Sequence, residues 1–113
     1  VRIAIVGSRK FANKQGVRNY VHTLPPGTLI ISGACPNSPD EWAAQEARAC
    51  RFEVVEYPAE WDKYGKSAGF KRNTEIVEAA EMVVAFWDGK SNGTKDTIDK
   101  ALRSKTAILV IFE

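Results

Sequence analysis

The sequence predicts a three-layer α/β domain with a five-stranded, mainly parallel sheet and helices on both faces. Two observations predict it. Short β-branched runs alternate with stretches of helical periodicity in the order β-α-β-α-β-α-β-α-β, and Gly, Pro or hydroxyl-rich loops punctuate the changeovers. Strict alternation of this kind argues for parallel strands joined by right-handed crossovers, with the helices packed on both sides of the sheet. The 113 residues, 44% hydrophobic and 27% charged, suffice for one core and lie far from a disordered composition. A single domain over 1–113 is expected.

Arg2 to Val6 is a β-rich run stopped by Gly7-Ser8, the pattern of a buried strand entering a loop. A helix is predicted from Asn13 to Leu24, where Val17, Tyr20, Val21 and Leu24 share one face and Pro25-Pro26-Gly27 ends the run. Thr28 to Ile31 is the second strand, closed by Ser32-Gly33. Pro39-Asp40 opens an Ala-rich helix to about Arg51, with Ser38 or Asp40 as the candidate cap. Phe52 to Tyr57 is the third strand, and Pro58 to about Ser67 is read as irregular. Ala68 to Ala80 is helical, Met82 to Trp87 the fourth strand, Asn92 to Ser104 a helix, and Thr106 to Phe112 the fifth strand.

The formal net charge is +2, and Lys and Arg are scattered without a basic run, so nucleic acid is not expected as a partner. Cys35 and Cys50 fall in no zinc-ligand or CxxC spacing and are too few for a disulfide scaffold. No metal or other cofactor is expected. The apolar runs are far shorter than the roughly 20 residues that cross a bilayer, and no signal peptide precedes the first strand. The expectation is a cytoplasmic chain with no membrane partner. His22, within the first helix, has no obvious carboxylate or cysteine neighbour in the sequence and is read as structural.

Open parallel sheets bind ligands beyond the carboxyl ends of their strands. Three distant segments should meet there: Gly7-Ser8-Arg9, Ser32-Gly33-Ala34, and Asp88 to Thr94. Glycine lets a backbone approach a phosphate, hydroxyls donate, and a helix start favours an anion. The Asp88-Gly89-Lys90-Ser91-Asn92-Gly93-Thr94 loop carries the best phosphate signal, with two glycines, two hydroxyls and a lysine between a strand and a helix. An ordinary turn and a solvated basic pair are the bland alternatives. Asp88 suits a ribose hydroxyl or a turn equally well. Trp61, Tyr64 and Phe70 can cover a base or pack on the sheet. Arg72 and Asn73 open the third long helix, where they can face a ligand or join surface ion pairs.

Taken together, Val6-Gly7-Ser8-Arg9, Ile31-Ser32-Gly33-Ala34, Pro58-Ala59-Glu60-Trp61, Ala68-Gly69 with Arg72-Asn73, and Ala85-Phe86-Trp87-Asp88-Gly89 with Ser91 and Gly93-Thr94 resemble the YspA group. That group carries a Ser-Arg-Lys motif and belongs to the SLOG superfamily with the LONELY GUY phosphoribohydrolases and DprA-type proteins. The resemblance runs through essentially the whole chain. It implies a Rossmann-like fold, a homo-oligomer, and a nucleotide or nucleotide-derived ligand of the ADP-ribose or nucleoside phosphate type. The ligand-binding residues it supports are Gly7, Ser8, Arg9, Ser32, Gly33, Ala34, Asp40, Arg72, Asn73, Asp88, Gly89, Ser91, Gly93 and Thr94. Relatives usually carry a second glycine and a close Gly-x-Asp after the second strand. Here Asp40 stands in a displaced position for that aspartate.

The first function expected is therefore a sensing or sequestering module for such a ligand. The alternative is LONELY GUY-like hydrolysis of a base-ribose bond, with Arg72, Asp88 and Asp96 as catalytic candidates. Thr97 stands where those enzymes place a glutamate, which weakens the alternative, since such hydrolysis needs a placed carboxylate. A DprA-like contact with single-stranded nucleic acid is the third reading.

Overall fold

The computed structural model describes residues 1–112. Five strands, β1 (Arg2–Gly7), β2 (Leu29–Ser32), β3 (Glu53–Glu56), β4 (Met82–Trp87) and β5 (Ala107–Phe112), form one sheet in the order β3-β2-β1-β4-β5. Every neighbouring pair is parallel, with Ile5 opposite Val84 and Ala4 opposite Ile31. The expected fold class is the observed one. The chain runs outward from β1 to β3, then returns to β4 on the other side. The strand order thus reverses at the carboxyl ends of β1 and β4, where the outgoing loops diverge and leave a crevice.

Period-2 alternation divides the core into two layers. Ile3 and Ile5 of β1 and Val84 and Phe86 of β4 point to one face, where they meet Val17 and Val21 of α1 (Lys14–His22) and Ala43 and Ala47 of α2 (Pro39–Ala49). Ala4, Val6, Val83 and Ala85 point the other way. They pack against Ile76, Val77 and Ala80, which belong to or directly follow α4 (Ala68–Ala79), and against Ile98 and Ala101 of α5 (Asn92–Arg103). The small residues Ala4 and Ala85 let α4 and α5 sit close to the central strands.

The elements follow the sequence reading with shifts at their ends. Asn13 caps α1, its Oδ1 accepting from the Gly16 amide at 2.9 Å. Ser38 occupies the cap position of α2 but makes no capping bond, because its hydroxyl donates instead to the Cys35 carbonyl at 2.7 Å. The stretch read as irregular holds a one-turn helix, α3 (Trp61–Tyr64), and a 3-10 turn at Gly65–Ser67. His22 has the carboxylate and cysteine neighbours that its own stretch of sequence lacks: its Nε2 lies 2.6 Å from Glu46 Oε2, and Cys50 is also adjacent. Those partners come from α2, which the spacing along α1 does not reveal. Among the described residues no helix is long and apolar enough to cross a membrane.

Candidate functional site

A cavity of about 680 Å³ opens at the crevice between the ends of β1 and β4, within the size range of small-molecule sites. It is lined by the end of β1 at Val6 and Gly7, by the first turn of α5, and by α4 together with Trp61. Of the residues expected to bind ligand, Gly7, Arg9, Asp40, Arg72, Asn73, Asp88, Ser91, Gly93 and Thr94 line it. Ser8, Ser32, Gly33, Ala34 and Gly89 are not among the lining residues. Asp96, a catalytic candidate, is not among them either.

The loops are held together by hydroxyls and carboxylates that bond to backbone. Ser8 Oγ lies 3.2 Å from Thr94 Oγ1 and accepts from the Asp88 amide at 3.3 Å, so one buried side chain ties the β1 loop to the β4 loop and to α5. Asp88 Oδ1 accepts from the Lys90 and Ser91 amides at 2.9 and 2.8 Å. Those two bonds hold its carboxyl below the usual carboxylate range, where it is a poor proton acceptor. Ser32 Oγ accepts from the Ala34 amide at 3.1 Å and points toward the Asp40 carbonyl, which shapes the β2 loop.

Asp40 is the buried carboxylate of the site. Its Oδ1 accepts from the Gly7 amide at 3.0 Å, across 33 residues of sequence. Burial pushes its pKa up to about 6, while the Arg72 charge, the Gly7 amide and Ser38 pull in the other direction. Arg72 donates Nη1 to the Gly33 carbonyl at 2.5 Å and Nε to Asn73 Oδ1 at 3.0 Å, leaving the rest of its fork toward the cavity it lines. Asn73 Nδ2 in turn donates to the Gly93 carbonyl at 3.2 Å and to Asp96 Oδ2 at 3.1 Å. Asp96 is also paired with Lys100 of its own helix at 2.7 Å, and through its bond to Asn73 its carboxylate braces α5 against α4. Among the described residues no buried side-chain N or O lacks a partner.

The glycines divide by what a side chain would meet. A Cβ on Gly7 would overlap the Pro39 ring and lie 2.7 Å from the Phe86 carbonyl oxygen, and one on Gly33 would lie 2.6 Å from Asp40 Oδ2. Packing requires the first, whereas at the second the ends of the Asp40 and Arg72 side chains would have to move. A Cβ on Gly93 would meet nothing within 4 Å, in the first turn of a twelve-residue helix that no side chain caps. That turn keeps amides without intrahelical partners, beside a wall of the cavity.

Lys10, Cys35, Lys66, Lys90 and Thr97 line the cavity without having been singled out as ligands. Lys10 and Lys90 sit in segments marked from sequence, whereas Lys66 and Cys35 reach the rim through loop shape that no spacing encodes. Ala34 and Asn37 adopt left-handed backbone at φ 57 and 54, turning the chain so that Cys35 Sγ accepts from Arg9 Nε at 3.3 Å. Thr97 donates its hydroxyl to the Gly93 carbonyl at 3.3 Å, where a glutamate would be needed by the hydrolytic alternative.

No family model matches the chain. The Gene 61 protein of Mycobacterium phage D29 is 29% identical over 119 residues, covering 96% of this chain and 94% of that protein. Among solved structures, DNA processing protein A (DprA) from Helicobacter pylori, described for its single-stranded DNA binding mode, matches with a TM-score of 0.77 at 18% identity. The match covers 97% of this chain and 64% of that one, so the chain spans less than two thirds of its structural neighbour. The likeness shows a shared Rossmann-like fold. It also corrects the expectation that nucleic acid is no partner, because a protein of this fold binds single-stranded DNA. Net charge does not decide the matter: it sums the whole chain, while the cavity gathers Arg9, Lys10, Lys66, Arg72 and Lys90 against Asp40 and Asp88.

Proposed function

We infer that this domain binds a nucleotide or nucleotide-derived ligand, of the nucleoside phosphate or ADP-ribose type, in the cavity at the end of β1 and β4. The observation that carries the reading is the uncapped first turn of α5, with Gly93 open on its surface and cations lining the same cavity. A phosphate placed there takes backbone amides and the positive end of the helix dipole, with Arg9 and Lys90 supplying charge-assisted bonds. Trp61 and Phe70 supply apolar faces at the same cavity, suited to a base or ribose. The YspA-like motifs support the same ligand class, since Arg9, Arg72-Asn73 and Gly93-Thr94 converge on one cavity. Binding is favoured over hydrolysis: Asp88 is held ionised, Asp96 is occupied with Lys100, and position 97 carries a hydroxyl.

One further observation favours a second reading, a single-stranded nucleic acid. Trp61, Phe70 and Tyr64 are 58%, 48% and 38% exposed, and lysines stand over two of these rings: Lys63 and Lys71 over Tyr64, and Lys100 over Phe70. Exposed aromatics interleaved with cations form the stacking surface that unpaired bases use. Competition separates the readings. Calorimetric titration with 5′-mononucleotides, ADP-ribose and a short oligothymidylate, repeated at two salt concentrations, reports which ligand binds and how steeply salt weakens it. A small ligand that binds with shallow salt dependence and is recovered intact supports the first reading. Binding of the oligonucleotide alone, falling steeply with salt, supports the second.

A further inference from the structure

On the sheet face away from α4 and α5, the neighbouring helices α1 and α2 bring three metal-ligating side chains together. His22, in the last turn of α1, has Nε2 2.6 Å from Glu46 Oε2 on α2. Cys50, which caps the C-terminus of α2, has Sγ 3.6 Å from His22 Nδ1 and 3.9 Å from Nε2. One ligand atom from each residue lies within 4.8 Å of the other two. Glu46 and Cys50 are one helical turn apart, and the Cys50 amide donates to the Glu46 carbonyl at 3.0 Å, so their common direction is fixed by the helix. Cys50 is a free thiol.

We propose that His22, Glu46 and Cys50 form a Zn²⁺ site, with imidazole, carboxylate and thiolate as three tetrahedral ligands and water as the fourth. Zinc bonds of about 2.0–2.2 Å to N or O and about 2.3 Å to S place N and S roughly 3.6 Å apart in a tetrahedron, and N and O roughly 3.4 Å apart. The nitrogen–sulfur separations already stand close to that geometry. The His22–Glu46 contact is a hydrogen bond that opens by about 0.8 Å to admit the ion, a movement within reach of the long Glu46 side chain. Arg18 Nε, 3.9 Å from Glu46 Oε1, steadies the second carboxylate oxygen while Oε2 turns to the metal. A thiolate beside an imidazole selects a borderline-soft transition metal over magnesium or calcium. Because the ligands come from two helices, the ion clasps α1 to α2 and stabilises the folded chain by mass action. The site is independent of the cavity at the strand ends and of any ligand bound there.

The test is Co²⁺ titration of the reduced, metal-stripped protein, followed by displacement with Zn²⁺ and by thermal melts with and without zinc. One cobalt per chain should bind with thiolate-to-metal charge-transfer absorption and intense tetrahedral bands, and zinc should raise the melting midpoint. Cys50→Ser should abolish the charge-transfer band, and His22→Ala should weaken zinc binding at least tenfold. Cys35→Ser should change neither. His22 is exposed, so its variant folds and serves should Cys50→Ser fail to. Absence of a charge-transfer band, its survival in Cys50→Ser, or undiminished zinc affinity in His22→Ala would overturn the site.

Discussion

Ser8 Oγ and Thr94 Oγ1 stand 3.2 Å apart across 86 residues of sequence, and the same Ser8 oxygen takes the Asp88 amide. One buried hydroxyl thus holds three sides of the cavity in register. Ser8→Ala should cost about 1–3 kcal/mol, since it leaves the Asp88 amide and the Thr94 hydroxyl short of a partner. Urea unfolding of the two proteins measures it, and an unchanged midpoint would remove Ser8 from the scaffold of the site.

Gly7 and Gly93 should respond oppositely to substitution. Gly7→Ala forces a Cβ into Pro39 and the Phe86 carbonyl, so it should lower stability by roughly 1–3 kcal/mol through overpacking. Gly93→Val meets open space and gains helix propensity, so the fold should persist. Circular dichroism melts of both variants decide the matter; loss of folding in Gly93→Val would make it a structural glycine.

Asp40 gives the domain a specific pH dependence. Its folded pKa is raised to about 6, so between about 4 and 6 the folded state holds more protons than the unfolded state. Stability is therefore lost as pH rises through that window and stays lower above it. Relative to Asp40→Asn, which keeps an acceptor for the Gly7 amide, the native protein should lose on the order of 2–3 kcal/mol between pH 4 and 7. Denaturant curves of both at several pH values give the difference; a flat difference would show that burial does not shift this carboxyl.

Much of this architecture is legible in the sequence. The strands announce themselves as β-branched runs, and Ala4 and Ile5 alternate faces as period-2 reading requires. The α3 turn is not legible, because four residues around Trp61 and Tyr64 carry no periodicity. The convergence of the strand-end loops follows from topology, and so the cavity's place is legible too. What each side chain does there is not. The bonds that Ser8 and Asp88 make to loop backbone have no signature in their spacing, and Asp40 reaches the Gly7 amide only through packing of α2 against β1. The His22 surroundings are hidden for the same reason: Glu46 and Cys50 arrive from another helix.

Asp96→Asn separates a bracing role from a chemical one. The carboxylate pairs with Lys100 and accepts from Asn73, so the variant should lose about 1–2 kcal/mol of stability while ligand affinity stays within threefold. Melting and titration of the same preparation check both. Loss of binding with unchanged stability would bring Asp96 into the site.

The most direct measurement is calorimetric titration of the native protein and Gly93→Val with 5′-mononucleotides and ADP-ribose. At least one of these ligands should bind the native protein, and the folded Gly93→Val protein should bind it at least tenfold more weakly. Binding of none of them, or equal binding by both proteins, would contradict a phosphate site at the start of α5.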